Sequence, residues 1–157
     1  MDITSEEILS QWKEDTQLDE SDLLHELIKV PKLHSKYIGY YVHFKRKQAQ
    51  AEAKKNKMAF VKRKYYKGEC TFEELQKYGW EQYQGLKASA SEFNLLMEID
   101  PDMADYNHVV AELKTTVSCL EYVLQQLKSR EFSIKAMLDY QKFLAGAWVW
   151  LLKTELD

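Results

Sequence analysis

The strongest constraint on the fold is a heptad repeat in the last third of the chain. Apolar residues recur there at alternating steps of four and three, the interval of helices that pack side by side. Ten of the twelve positions are apolar, and the seam comprises Leu113, Val117, Leu120, Leu124, Leu127, Glu131, Ile134, Leu138, Gln141, Ala145, Trp148 and Leu152. The pattern predicts helix here, with Ser129 and Ser133 marking either a bend between two helices or a simple interruption.

A second repeat of the same kind predicts one long helix over residues 31–66. Its first half is aromatic and apolar and should be buried, whereas its second half contains more lysine and should be more solvated. Pro31 suits the first turn of this helix, and Gly68 suits a left-handed cap after it. The repeat comprises Leu33, Tyr37, Tyr40, Phe44, Lys47, Ala51, Lys54, Met58, Val61 and Tyr65.

The remaining segments also favour helix, because the chain has only five glycines and two prolines in 157 residues. Capping signals predict short helices after Thr4 or Ser5, from Ser21 or Asp22 through Leu27, and after Thr71. Residues 79–91 are expected to form a bend or a loose connector, residues 92–99 a helix, and Asp100-Pro101 the start of another. We therefore predict an all-α fold of long helices with heptad-type packing, in an elongated protomer.

Charge divides the chain into segments. The first 27 residues contain nine Asp and Glu against Lys13 alone, whereas residues 45–67 contain ten Lys and Arg against Glu52 alone. Such a separation concerns partners rather than fold. We expect an acidic N-terminal helical segment (1–30), a long basic helix (31–68), a connector with short helices (69–109) and a C-terminal helical region (110–157).

Enzymatic chemistry has no support in the sequence. The four histidines fit no zinc-protease spacing, the two cysteines lie far apart, and no phosphate-binding loop or nucleophile-elbow motif occurs. The acids at Asp100, Asp102 and Asp105 fit helix capping better than a cation site. We predict no catalytic activity, no cofactor, no metal and no membrane span, and the cysteine usage favours a reduced, cytosolic protein.

The basic helix is the candidate binding site, although a solvated helix face is the alternative. Acids that would pair its lysines at the fourth position before or after them are nearly absent, so a purely solvating face would repel itself. Cations bind phosphates, and aromatic rings stack on unpaired bases, so this combination favours single-stranded nucleic acid. Tyr65 lies on the seam, which leaves Tyr66 as the better stacking candidate. The predicted contacts are Lys54, Lys55, Lys57, Lys62, Arg63, Lys64, Tyr66 and Lys67.

The C-terminal seam has two readings, an intramolecular coiled-coil core and a surface for self-association. The apolar chain end favours association, because a monomer rarely exposes such a patch. The residues assigned to association are Leu113, Val117, Leu120, Leu124, Leu127, Ile134, Leu138 and Trp148.

Three stretches resemble the UvsY family of T-even-like phages: "WKEDTQLDESDLLHELIKVPKLHSKYIGYY", "KRKYYKGE" and "LKSREFSIKAMLDYQKFLAG", in order over roughly residues 11–146. The resemblance implies a helical recombination mediator that forms a ring-like hexamer or heptamer in the cytoplasm of the infected bacterial host. It implies binding to single-stranded DNA, loading of the phage recombinase and displacement of the single-strand-binding protein.

The resemblance also implies that a basic helix ending in Tyr-Tyr-x-Gly binds the DNA. Tyr65 and Tyr66 match that ending, and the second of two basic positions ahead of it falls on Lys62. The first falls on Phe60, a departure that Arg63 and Lys64 could offset with their charge. A helical scaffold whose basic helix binds an acidic protein partner is the alternative function.

Overall fold

The computed structural model describes the backbone of residues 3–154 and the side chains of residues 3–146. Its helices are α1 (Ser5–Asp15), α2 (Leu23–Tyr66), α3 (Phe72–Tyr78), α4 (Ala90–Ile99) and α5 (Pro101–Thr154). No strand occurs in the described backbone, so the predicted all-α class is confirmed. Among the described helices, none combines the length and the apolar character that crossing a bilayer requires.

The chain divides into two compact units. The first unit contains Met1–His43 and Thr116–Asp157, and the second contains Phe44–Thr115. Both units draw on α2 and α5, whose ranges extend across the division.

The start of α2 differs from the sequence-based expectation. We predicted a separate short helix through Leu27 and a new helix opened by Pro31, but α2 begins at Leu23 and contains Pro31 in its interior. An interior proline removes one backbone hydrogen bond and costs about 3 kcal/mol. Leu23 and Val30 pack with Ile134 in a buried apolar cluster, and burying a large aliphatic side chain contributes about 1.5–3 kcal/mol. Tertiary packing of the turns before the proline against α5 therefore offsets its cost.

In the first unit, α1 packs on α2 through aromatic and polar contacts. The Trp12 ring meets the Tyr37 ring edge-on with 5.3 Å between centroids, and Tyr37 is fully buried. The Tyr37 hydroxyl donates a hydrogen bond to Asp15 at 2.8 Å, and the Lys36 ammonium makes an ion pair with the same carboxylate oxygen at 2.7 Å. One acid of the acidic N-terminal segment is thus neutralised within the protomer.

Arg130 of α5 ties the end of α1 to the start of α2. Its guanidinium donates to the backbone carbonyls of Asp15, Thr16 and Gln17, at 3.2, 2.9 and 3.1 Å. It also forms an ion pair at 2.6 Å with Glu26, whose side chain is 1% exposed. The carbonyls that end a helix lack partners within it, so Arg130 supplies donors that α1 needs.

The C-terminal seam forms an intramolecular core, the first of the two readings above. Val117, Leu120, Leu127 and Ile134 are at most 3% exposed, so they offer no surface to a second copy. Leu113, Leu124 and Leu138 are half-buried, and the side chain of Trp148 lies outside the described residues. Helix α5 is continuous through Ser129 and Ser133, so these serines are an interruption of the pattern and not a bend between helices. The apolar side chains that α5 leaves exposed include Phe132, Met137, Tyr140 and Phe143.

In the second unit, the end of α2 and the starts of α3 and α4 are capped by hydrogen bonds. Gly68 has φ of 69°, its N–H bonds to the Tyr65 carbonyl at 2.9 Å, and the Glu69 N–H bonds to the Lys64 carbonyl at 2.9 Å. This is the left-handed cap that was predicted for the end of α2. Capping boxes begin α3 at Thr71 and α4 at Ser89. The connector between α3 and α4 is non-helical, as predicted.

Candidate nucleic-acid interface

Lys62 lies near the end of α2 with its side chain buried in the second unit, where it is 4% exposed. Its ammonium group forms ion pairs with Asp100 at 2.9 Å and with Asp102 at 2.6 Å. It also lies 4.0 Å from the centre of the Trp80 ring. Lysine is almost never buried this deeply unless it is paired. Two carboxylates and an aromatic ring therefore neutralise and cover this cation within the protomer.

Asp100 links helix capping to this cluster. Its Oδ1 accepts a hydrogen bond from the Met103 N–H at 3.1 Å, and its Oδ2 accepts one from the Tyr66 hydroxyl at 2.6 Å. Burial by itself would raise the pKa of Asp100, but the hydrogen bonds from Tyr66, Lys62 and Met103 outweigh it and hold that pKa below its ordinary value. Burial, together with the neighbouring Asp100 carboxylate, raises the pKa of Tyr66.

The two tyrosines at the end of α2 belong to a cluster of rings. Tyr65 lies 5.1 Å from Trp80 and 5.5 Å from Tyr83, and Tyr66 lies 5.3 Å from both Tyr65 and Tyr83. The Trp80 indole N–H donates to Asp102 at 3.1 Å, and its ring stacks on Tyr78 at 4.6 Å. The segment predicted to form a bend or a loose connector thus supplies Trp80 and Tyr83, whose rings pack against the tyrosine pair.

The cations on the solvent side of α2 have a different environment. Lys54, Lys57 and Lys67 are exposed, and Lys55 is half-buried. None of these four lysines forms an ion pair with a carboxylate in the part of the chain whose side chains are described. Arg63 is also exposed, and its guanidinium carbon lies 4.7 Å from the centre of the Phe93 ring of α4.

Lys64 is intermediate between the buried Lys62 and the exposed cations, because it is half-buried and paired. It forms an ion pair with Glu74 of α3, and the side chains are 30% and 31% exposed. The hydrogen bond to Glu74 raises the pKa of Lys64, and the same bond lowers the pKa of Glu74. The ammonium is therefore already matched by a carboxylate at the surface.

The structure separates the predicted contact residues into two sets. Lys62, Lys64 and Tyr66 are engaged with acids of the second unit, and the first and last of these meet Asp100. The set without a described carboxylate partner consists of Lys54, Lys55, Lys57, Arg63 and Lys67.

Sequence reasoning assigned Asp100 and Asp102 to helix capping alone and missed their ion pairs with Lys62. Neighbouring helix positions do not reveal these ion pairs, because the acids lie far along the chain, next to and within the first turn of α5. A usable signal was the position of Lys62 four residues after Met58 and three before Tyr65, which places it beside the apolar seam. A lysine on the buried side of a helix requires an acid from another element.

A family model described as "Recombination, repair and ssDNA binding protein UvsY" matches residues 11–147. The chain belongs to the UvsY family. The resemblance of the three stretches is thereby confirmed, and the match includes α2 with all of its basic segment. No curated protein sequence matches the chain.

The fold is similar to crystal structures of the bacteriophage T4 recombination mediator protein UvsY. The lattice type II structure has a TM-score of 0.81 at 21% identity, over 91% of this chain and 98% of that one. The lattice type IV structure has a TM-score of 0.79 at 21% identity, over 90% of this chain and 99% of that one. At this identity the likeness establishes a common fold for the UvsY family member described here.

Proposed function

We propose that this UvsY family member is a recombination mediator that binds single-stranded DNA. In this role it promotes loading of the phage recombinase and helps displace the single-strand-binding protein, by binding alone and without a catalytic step. The family description supports the class of function. The observation that carries the proposal is the group of cations in the last part of α2 and just after it that no described carboxylate neutralises: Lys54, Lys55, Lys57, Arg63 and Lys67. A phosphate backbone supplies the missing anions.

The proposal includes a ring-like homo-oligomer, a hexamer or heptamer, in the cytoplasm of the infected bacterial host. Several seam residues of α5 are buried in the core of the protomer. Contacts between copies are therefore assigned to the apolar side chains that α5 leaves exposed. Phe132, Tyr140 and Phe143 are 75%, 62% and 69% exposed and support this assignment. Several copies would present one strand with many weak sites, and avidity raises the overall affinity without new contacts.

A salt titration tests the proposal. Five cations contacting phosphates predict that the logarithm of affinity for an oligo(dT) strand falls with the logarithm of salt concentration at a slope of about −3.5. Fluorescence anisotropy between about 50 and 200 mM salt measures this slope. No binding at low salt, or an affinity that salt leaves unchanged, would exclude the function.

A charge variant locates the site. Replacing Lys54, Lys57 and Lys67 together by glutamine should reduce the slope to about −1.4, because two of the five cations remain. A control with the same change in net charge replaces three exposed lysines of the first unit and should keep the original slope: Lys13, Lys32 and Lys128. Equal losses in the two triple variants would contradict the assignment to the last part of α2, because Lys32 of the control lies near the start of the same helix. A preference for poly-glutamate over oligo(dT) would favour the acidic protein partner.

A further inference from the structure

Phe60 lies in the middle of the basic solvent face of α2, and its side chain is 66% exposed. Lys57 precedes it by three positions and Arg63 follows it by three, while Lys67 follows by seven. Side chains three or four positions apart are neighbours on a helix, with about 5–6 Å between their Cβ atoms. An exposed aromatic ring is therefore framed by cations along the helix axis.

Arg63 is held in position beside this ring. Its guanidinium carbon lies 4.7 Å from the centre of Phe93, whose side chain is half-buried on α4. Contact with an aromatic face restricts a side chain that otherwise samples many rotamers. Both the Phe60 ring and the Arg63 guanidinium are flat groups on which an unpaired base can stack.

Exposure of one aromatic residue is ordinary, so the surroundings decide the argument. Phe72 is more exposed than Phe60, at 79%, but it is followed by Glu73 and Glu74. Phe60 instead lies among cations that include Lys57 and Lys67, which have no described carboxylate partner. A single strand offers phosphates and unpaired bases together, whereas an acidic peptide offers only the anions and a duplex conceals the base faces.

We propose that Phe60 is a base-stacking residue of the single-strand site, flanked by Lys57, Arg63 and Lys67 as phosphate contacts. This inference rests on the proposed function and places the stacking surface on the solvent side of α2. Tyr66, the residue that the sequence favoured for stacking, is instead bonded to Asp100 and packed against Tyr83. The ligand class is therefore unpaired nucleic acid with its bases intact.

The experiment compares Phe60→Leu with Phe60→Tyr and with the control Phe72→Leu, using anisotropy with oligo(dT) and with an abasic strand of equal length. Leucine keeps the apolar character but removes the flat ring. One stacked base corresponds to about a fivefold or larger change in affinity. Phe60→Leu should weaken oligo(dT) binding by at least this factor and leave binding to the abasic strand unchanged. Phe60→Tyr and Phe72→Leu should bind both strands like the wild type.

Distinct results separate the two levels of the proposal. Absence of wild-type binding to both strands would refute the proposed function itself. Wild-type binding with an unchanged Phe60→Leu affinity for oligo(dT) would overturn only the stacking inference. An equal loss on the abasic strand, or on poly-glutamate, would also overturn it, since the ring would then act without bases. Thermal unfolding should be the same for all variants, because both replaced rings are exposed.

Discussion

Replacing Lys62 by methionine tests whether this residue serves the fold or the nucleic acid. Methionine keeps the unbranched shape but removes the ammonium that pairs with Asp100 and Asp102. The Asp100 side chain is 2% exposed, so in the variant its buried carboxylate would lose the ammonium that neutralises it. Breaking a buried ion pair by removing one partner costs about 3–5 kcal/mol.

The structure places this substitution at the lower end of that range. Asp100 keeps hydrogen bonds from the Tyr66 hydroxyl and the Met103 N–H, which continue to stabilise its charge. The second partner, Asp102, is 45% exposed, so losing its pair with Lys62 adds only about 0–1 kcal/mol. We expect the free energy of unfolding to fall by about 3 kcal/mol for Lys62→Met.

Urea unfolding followed by circular dichroism measures this change, at one protomer concentration because association stabilises the folded state. The matched control is Lys57→Met, at an exposed position on the same helix, which should stay within about 0.5 kcal/mol of wild type. The reasoning fails if Lys62→Met unfolds like the control while its affinity for oligo(dT) falls tenfold or more. Lys62 would then contribute to binding of the DNA strand and not to the stability of the fold.

Three further changes test the other stabilising contacts. Because its pKa is lowered in the folded protein, Asp100 stabilises the fold above its unfolded pKa of about 3.9, and this contribution is lost as the pH falls through the lowered pKa. Asp100→Asn should therefore lower the free energy of unfolding at neutral pH and progressively less below pH 4, in urea titrations across that range; a constant deficit would contradict this. Arg130→Met should cost about 3 kcal/mol by urea unfolding, because Glu26 is 1% exposed and would keep Lys29 but lose the guanidinium. The exposed-pair control Lys135→Met should cost under about 0.5 kcal/mol. Gly68→Ala should cost about 1 kcal/mol by the same assay, from its φ of 69° alone, since an added Cβ meets nothing within 4 Å; no loss would show that the left-handed cap is dispensable.

Local patterns predicted the helices well because the evidence for a helix lies within a few turns. The buried Tyr37, Tyr40 and Phe44, followed by exposed Lys54, reproduce the expected thinning of the α2 seam. Pro31 misled the prediction because its local cost is offset by packing with residues far along the chain.

The candidate site was only partly predictable for a related reason. Ten cations in one segment marked α2 as the binding helix, but charge alone does not tell which of them are neutralised from elsewhere. Lys62 is paired by residues near the start of α5, and Tyr66 is held by the same aspartate. In the sequence, Phe60 is only a departure from the family pattern. The structure adds that its side chain is exposed on the helix surface that also carries Lys57 and Arg63.

Asp100 takes part in three helices at once. Its backbone N–H ends α4 at the Leu96 carbonyl, its Oδ1 opens α5, and its Oδ2 holds Lys62 and Tyr66 of α2. A substitution of Asp100 alone is unfavourable, because replacing either member of the Lys62–Asp100 ion pair leaves the other charge buried without its partner. We therefore expect the two positions to change together, whereas the outward-facing cations proposed to contact the strand are free of this constraint.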